Sequence, residues 1–132
     1  MNWNFGQSDT TRRGSYVYLP RGNGLVGIDR LNMQTDTWEL FQNSPGFETL
    51  TQGSMYAYDG GDRIYFTKDI TQRVYYLDID KNIVHGAGMF PYTAGTVITG
   101  NRMEIFSTAD GLKYLWLNRH ANVECFRQLL FY

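Results

Sequence analysis

The chain holds one cysteine and two histidines in 132 residues. Cys125 has no second cysteine to pair with, which excludes an internal disulfide and any CxxC metal or redox site. Zinc takes about three protein ligands in a catalytic site and four in a structural one. One cysteine with His85 and His120, set in different parts of the chain near turns, does not supply that set. Charge is also sparse: 12 Lys and Arg against 13 Asp and Glu leave a net charge of −1, with neither sign gathered into a run. That lacks the basic footprint of a nucleic-acid binder. Arg12-Arg13, the adjacent basic pair, reads as a solvated turn beside Gly14. No segment approaches the ~18 apolar residues that span a bilayer as a helix. Met1–Ser8 has neither a basic start nor an apolar stretch, so no secretory signal is expected, and the chain is expected to fold in a reducing cytoplasm.

What the chain has instead is aromatic and apolar. Ten Tyr, eight Phe and three Trp bring aromatics to 16%, and hydrophobic residues reach 42%. Aromatic and β-branched residues favour strands, so an all-β class follows. A chain of this length buries about two thirds of its unfolded surface, enough for one core without staples.

One unit occurs three times, at Ser15–Asn43, Arg63–Gly88 and Arg102–Tyr132: an apolar run, a turn, a second run, another turn and a third run. Leu31-Asn32, Ile79-Asp80 and Leu117-Asn118 serve as register marks. On that alignment Tyr16/Tyr18, Ile64/Phe66 and Met103/Ile105 occupy equivalent alternating places. The turns between the first two runs are rich in Gly, Asn and Asp, as tight hairpins require. An additional inner strand is expected at Gly53–Tyr58 and at Ala94–Thr99, with no counterpart directly before Ser15. Val26, Ile28 and Leu31 cannot share a strand face without a bulge. Units of three or four short antiparallel strands recurring at this period are the signature of β-propeller blades.

Leu31-Asn32-Met33-Gln34-Thr35-Asp36-Thr37-Trp38-Glu39-Leu40 resembles the second half of a kelch repeat, where a polar turn leads to a Trp that opens the outer strand. Pro45-Gly46 and Tyr58-Asp59-Gly60-Gly61-Asp62-Arg63-Ile64-Tyr65 resemble the inter-blade crossing and glycine pair of such blades. The resemblance runs from about Ser15 to Tyr132 and weakens in the third unit, where Val123 replaces the Trp. It implies three kelch-like blades at 15–132 behind an N-terminal arm at 1–14. Families of this fold include oxidases, actin-binding scaffolds, ubiquitin-ligase adaptors and virion proteins of tailed phages. A short Tyr- and Asn-rich module is most similar in style to the last, which implies a virion location in a tail or head.

No residue set predicts catalysis. Arg21-Gly22-Asn23-Gly24 lacks the spacing of a phosphate loop. Asp78 and Asp80 stand on one strand face, with Asp80 as the turn-closing acid; Asp59, Asp62 and Asp69 surround a Gly-Gly turn but fit no calcium loop. Neither metal nor cofactor is expected. Trp38 and Trp116 read as core. Trp3 and Phe5 in a polar arm, and the apolar run Leu129-Leu130-Phe131-Tyr132, read as surfaces that dock on a partner. Propellers close with about four to eight blades, so three leave an open side. The expectation is therefore a non-enzymatic assembly protein that meets a protein partner or copies of itself, without nucleic acid or membrane. The alternative is a carbohydrate-binding module.

Overall fold

The computed structural model describes residues 12–21, 27–42, 56–67, 73–89, 102–119 and 124–130. Among them the chain is all-β, with eleven strands in three antiparallel sheets and no sheet closed on itself. Sheet 1 runs in the order β1 (Arg12–Arg13), β2 (Tyr16–Pro20), β3 (Ile28–Asn32), β4 (Thr37–Gln42). Sheet 2 runs β5 (Tyr56–Tyr58), β6 (Arg63–Thr67), β7 (Arg73–Asp78), β8 (Ile83–Met89). Sheet 3 runs β9 (Arg102–Ser107), β10 (Lys113–Arg119), β11 (Glu124–Leu129).

Arg12-Arg13 is a strand rather than a solvated turn: Arg12 pairs with Val17 and Arg13 with Tyr16 across the left-handed Gly14. Sheet 1 thus has the inner strand that its sequence seemed to lack, and it begins inside the expected arm. The inner strand of sheet 2 is β5, whose expected start at 53–55 lies outside the described residues, as does Ala94–Thr99.

Backbone hydrogen bonds fix the true equivalences. Met33 N–H donates to the Ser15 carbonyl at 2.8 Å, and Ile79 N–H to that of Asp62 at 2.8 Å. Asn32 therefore matches Asp78, not Asp80. Asn32 Oδ1 accepts from Gln34 N–H, and Asp78 Oδ1 from Lys81 N–H. Each turn then ends on an Asx residue with positive φ, Asp36 at 54° and Asn82 at 55°, a conformation their short polar side chains tolerate. Asp80 lies in the turn itself, so the two carboxylates do not share a strand face. Both sheets also carry a bulge at the same place. The β3–β4 register skips Phe41, and the β7–β8 register skips Ala87. The extra residue is on β4 rather than β3, so Ile28 and Leu31 lie on opposite faces of β3 by plain alternation; Val26 lies outside the described residues.

The Lys81 N–H and the Lys81 charge hold the Asp78 carboxyl below its usual range, against the opposing effect of burial. A depressed folded pKa stabilises the fold fully above about pH 4, and this contribution disappears as pH falls through the folded value. Asp78→Asn keeps an acceptor, as Asn32 does in sheet 1, and removes the titration. Acid denaturation curves are expected to show the variant losing less stability than the parent between about pH 5 and 2. Parallel losses would refute the assignment.

Two apolar clusters join the sheets face to face. Tyr18 and Ile28 of sheet 1, with Tyr16 and Phe41 beside them, meet Tyr56, Ile64, Phe66, Leu77 and Ile79 of sheet 2. The other face of sheet 2, through Ala57, Tyr65 and Val74, meets Met103, Leu115 and Leu130 from the sheet 3 segment. Sheet 2 is covered on both sides, which explains why its strands are apolar without alternation. The two junctions are also tied by polar bonds: Asn82 Nδ2 donates to the Phe41 carbonyl at 2.9 Å, and Lys113 Nζ to the Asp59 carbonyl at 2.8 Å. Gly88, at φ 132°, sits beneath Gln128; a Cβ there would lie 2.9 Å from Gln128 Nε2.

Candidate functional site

The register shows which side chains each sheet presents to its neighbours. Tyr16 is equivalent to Arg63, since they pair with Asn32 and Asp78 respectively. Val17 and Leu19 therefore match Ile64 and Phe66, and the sequence alignment that matched Tyr16 and Tyr18 to them was one residue out. Ile64 and Phe66 are fully buried against sheet 1, and Met103, their counterpart in sheet 3, is fully buried against sheet 2. This side of each sheet, which looks toward the preceding sheet, is here termed the tail face.

Sheet 1 has no preceding sheet among the described residues. Its tail face consists of Val17, Leu19, Leu31, Trp38 and Leu40 around Asp29, joined by the pairs Val17–Leu31–Trp38 and Leu19–Asp29–Leu40, with the Asp29 carboxylate ion-paired to Arg21 Nε at 3.0 Å. Trp38 is 56% exposed and Leu40 43%. Trp38 is thus not a core residue. It occupies the position of Val84 in sheet 2, which packs against the sheet 1 junction.

The opposite side of each sheet is its head face, and it has a different chemistry. In sheet 1 the Arg30 guanidinium lies 4.2 Å from the Tyr16 ring centre and 4.6 Å from that of Phe41. In sheet 2 Arg63 lies 4.3 Å from the Tyr76 ring, whose far neighbour His85 stacks at 4.9 Å. His85 is accordingly a half-buried strand residue, not a turn residue; His120 lies outside the described residues. In sheet 3 Arg127 lies 4.9 Å from the Tyr114 ring and 5.8 Å from that of Trp116. Phe106 meets Trp116 edge-on at 6.1 Å and remains 51% exposed. The first two head faces are covered by the next sheet. The third is not covered among the described residues.

Of the residues the sequence marked for docking, Leu130 is buried with Ala57, Tyr65 and Leu115, and its N–H donates to the Lys113 carbonyl at 2.9 Å. Its side chain joins sheets 2 and 3 within the chain. Leu129 ends β11 opposite Tyr114, half-buried. Trp3, Phe5, Phe131 and Tyr132 lie outside the described residues. The exposed Trp38 and Phe106 faces were missed. Exposure at Trp38 depends on which sheet stands first in the stack, and no local pattern reports that.

A cleft of about 560 Å³ opens between sheet 1 and the β7–β8 turn, lined by Tyr16, Tyr18, Arg30, Phe41, Asp80 and Asn82 among others. Arg30 dominates it. Burial disfavours its charge, yet hydrogen bonds to Glu39 and Tyr18 outweigh that and hold its pKa above the usual guanidinium value. A second groove of about 380 Å³ lies between sheets 2 and 3 beside Arg63, Tyr76 and Gln128. Asp59 is bound into its own turn: Oδ1 accepts from Gly61 N–H at 2.8 Å and from Arg63 N–H at 3.0 Å. Among the described residues there is no cluster of three or more His, Cys, Asp or Glu suited to a metal ion, and no helix long and apolar enough to cross a membrane.

No protein-family model matches the chain, and a comparison with curated proteins finds no match.

Proposed function

We propose that this protein is a non-enzymatic assembly module, an open arc of three kelch-like propeller blades that docks through its two end faces. One observation carries this reading: the positions that sheets 2 and 3 bury against a preceding sheet are, in sheet 1, a mainly apolar surface around the Asp29–Arg21 ion pair, bearing the exposed Trp38 and Leu40. Large exposed apolar patches mark interaction surfaces. A tail or head component of a tailed phage is the setting we propose, on the sequence resemblance alone. The test is binding of an apolar fluorescent dye by the purified chain, diluted until it is a single-chain species. Strong binding is expected, reduced by Trp38→Glu and by Phe106→Glu. A single chain that binds no dye would overturn the reading.

The cleft beside Tyr16 favours a second reading, carbohydrate binding, because aromatic rings stand next to amide and carboxylate groups. Arg30 weighs against it, since the guanidinium already lies over the Tyr16 and Phe41 rings on which a sugar would stack. If the cleft binds glycans, an array should give hits that Tyr16→Ala removes; an array without hits on the parent chain would eliminate this alternative.

A further inference from the structure

We infer that the occupant of each end face is a second copy of this chain, with the tail face of one copy stacked on the head face of the other at both ends, so that two copies close a ring of six sheets. The inference rests on the docking reading above and commits it to one partner. The two junctions inside the chain supply the argument. At each, a head face carrying an arginine over an aromatic ring meets a tail face of buried apolar residues: Arg30 and Tyr16 against the side bearing Ile64 and Phe66, then Arg63 and Tyr76 against the side bearing Met103 and Leu115. Among the described residues, the two faces left over are one of each kind. Sheet 3 presents Arg127 with Tyr114, Trp116 and Phe106, and sheet 1 presents Val17, Leu19, Leu31, Trp38 and Leu40 around Asp29, which is ion-paired to Arg21. A contact between them would repeat the internal junction a third time.

Numbers and symmetry agree with this. A head-to-tail contact is heterologous, and it must either close into a ring or continue as a filament. Propeller rings close with about four to eight blades, and two copies of three sheets make six. Each contact is limited by the three-stranded face of sheet 3, and strands about 4.8 Å apart with residues about 3.3 Å apart make a five-residue face of that width about 240 Å². Four such faces bury about 950 Å², close to the ~1,000 Å² at which the range of specific interfaces begins. One contact alone would fall short of that range, so the ring should form in a single concerted step.

The test is sedimentation of the full-length chain, of Trp38→Glu and Leu40→Glu on the tail face, and of Phe106→Glu on the head face, with circular dichroism to confirm folding. The parent is expected as a two-chain particle. Each variant is expected as a folded single chain, with association weakened on the order of 100-fold or more because the charge enters both contacts of the ring. Mixing Trp38→Glu with Phe106→Glu restores one intact contact, and a mixed pair should form more tightly than either variant pairs with itself. Loss of pairing from one face only would mean a symmetric contact and overturn the head-to-tail inference while leaving the docking reading intact. A single-chain parent that binds apolar dye would do the same, pointing to a different protein as the partner. A single-chain parent that binds no dye would overturn both.

Discussion

Replacing Phe66 with Ala is expected to lower the unfolding free energy by about 3–5 kcal/mol, the range for deleting a buried aromatic ring. Phe66 is fully buried in the cluster joining sheets 1 and 2 and stacks on Tyr75, with ring centres 5.6 Å apart and planes 19° from parallel. It pairs across the ladder with Tyr56 on one side and Tyr75 on the other, so the cavity is walled by side chains already held in place. Such a site relaxes little, which puts the cost toward the upper end. Domains are stable by about 5–15 kcal/mol in all, so the variant should melt well below the parent. Phe106→Ala provides the contrast. That ring is half exposed on the sheet 3 head face, and its removal from the single chain should alter stability by no more than about 1 kcal/mol. Thermal melts of the two variants, followed by circular dichroism at a concentration where the chain is single, measure the difference. Equal losses would contradict the stacking order of the sheets.

Asp59→Ala is expected to cost about 2–4 kcal/mol, since hydrogen bonds to a charged group contribute about 1.5–3 kcal/mol each. The Asp59 side chain is 1% exposed and accepts from the Gly61 and Arg63 N–H groups, closing the β5–β6 hairpin. Gly60, at φ 81°, makes the turn possible and the carboxylate holds it. Lys113 Nζ approaches the same residue from sheet 3, 2.8 Å from its carbonyl and 4.0 Å from its carboxylate, so the loss should also loosen the junction of sheets 2 and 3. Asp59→Asn keeps an acceptor for the turn and removes only the charge, and should cost about half as much. Denaturant unfolding gives the totals. Hydrogen exchange should show faster exchange at Gly61 and Arg63 in the Ala variant alone, and unchanged exchange there would contradict the role assigned to the carboxylate.

The strands were readable from alternation and turn residues, while their register was not. β6 lies where the sequence put it, Arg63–Thr67, because Gly60 and Gly61 mark its start and apolar residues fill it. Tyr16/Tyr18 and Ile64/Phe66 were matched because both pairs alternate in apolar strands. In sheets covered on two sides either parity is apolar, and a one-residue slip leaves no trace in composition. Leu77-Asp78-Ile79-Asp80 contains two apolar–acid pairs in succession, so the turn-closing acid could be read two residues late. The backbone bond from Ile79 to Asp62 decides for Asp78. Arg12-Arg13 carries no strand propensity at all, and its pairing with β2 is purely a backbone matter. The candidate docking faces were hidden for the same reason: whether Trp38 is covered depends on how many sheets precede it.

The mass of the native particle in solution, measured by native mass spectrometry across a range of concentrations, tests the docking account most directly. Two chains and six sheets are expected, giving way to one chain only on dilution. A single chain at every concentration, binding no apolar dye, would contradict it.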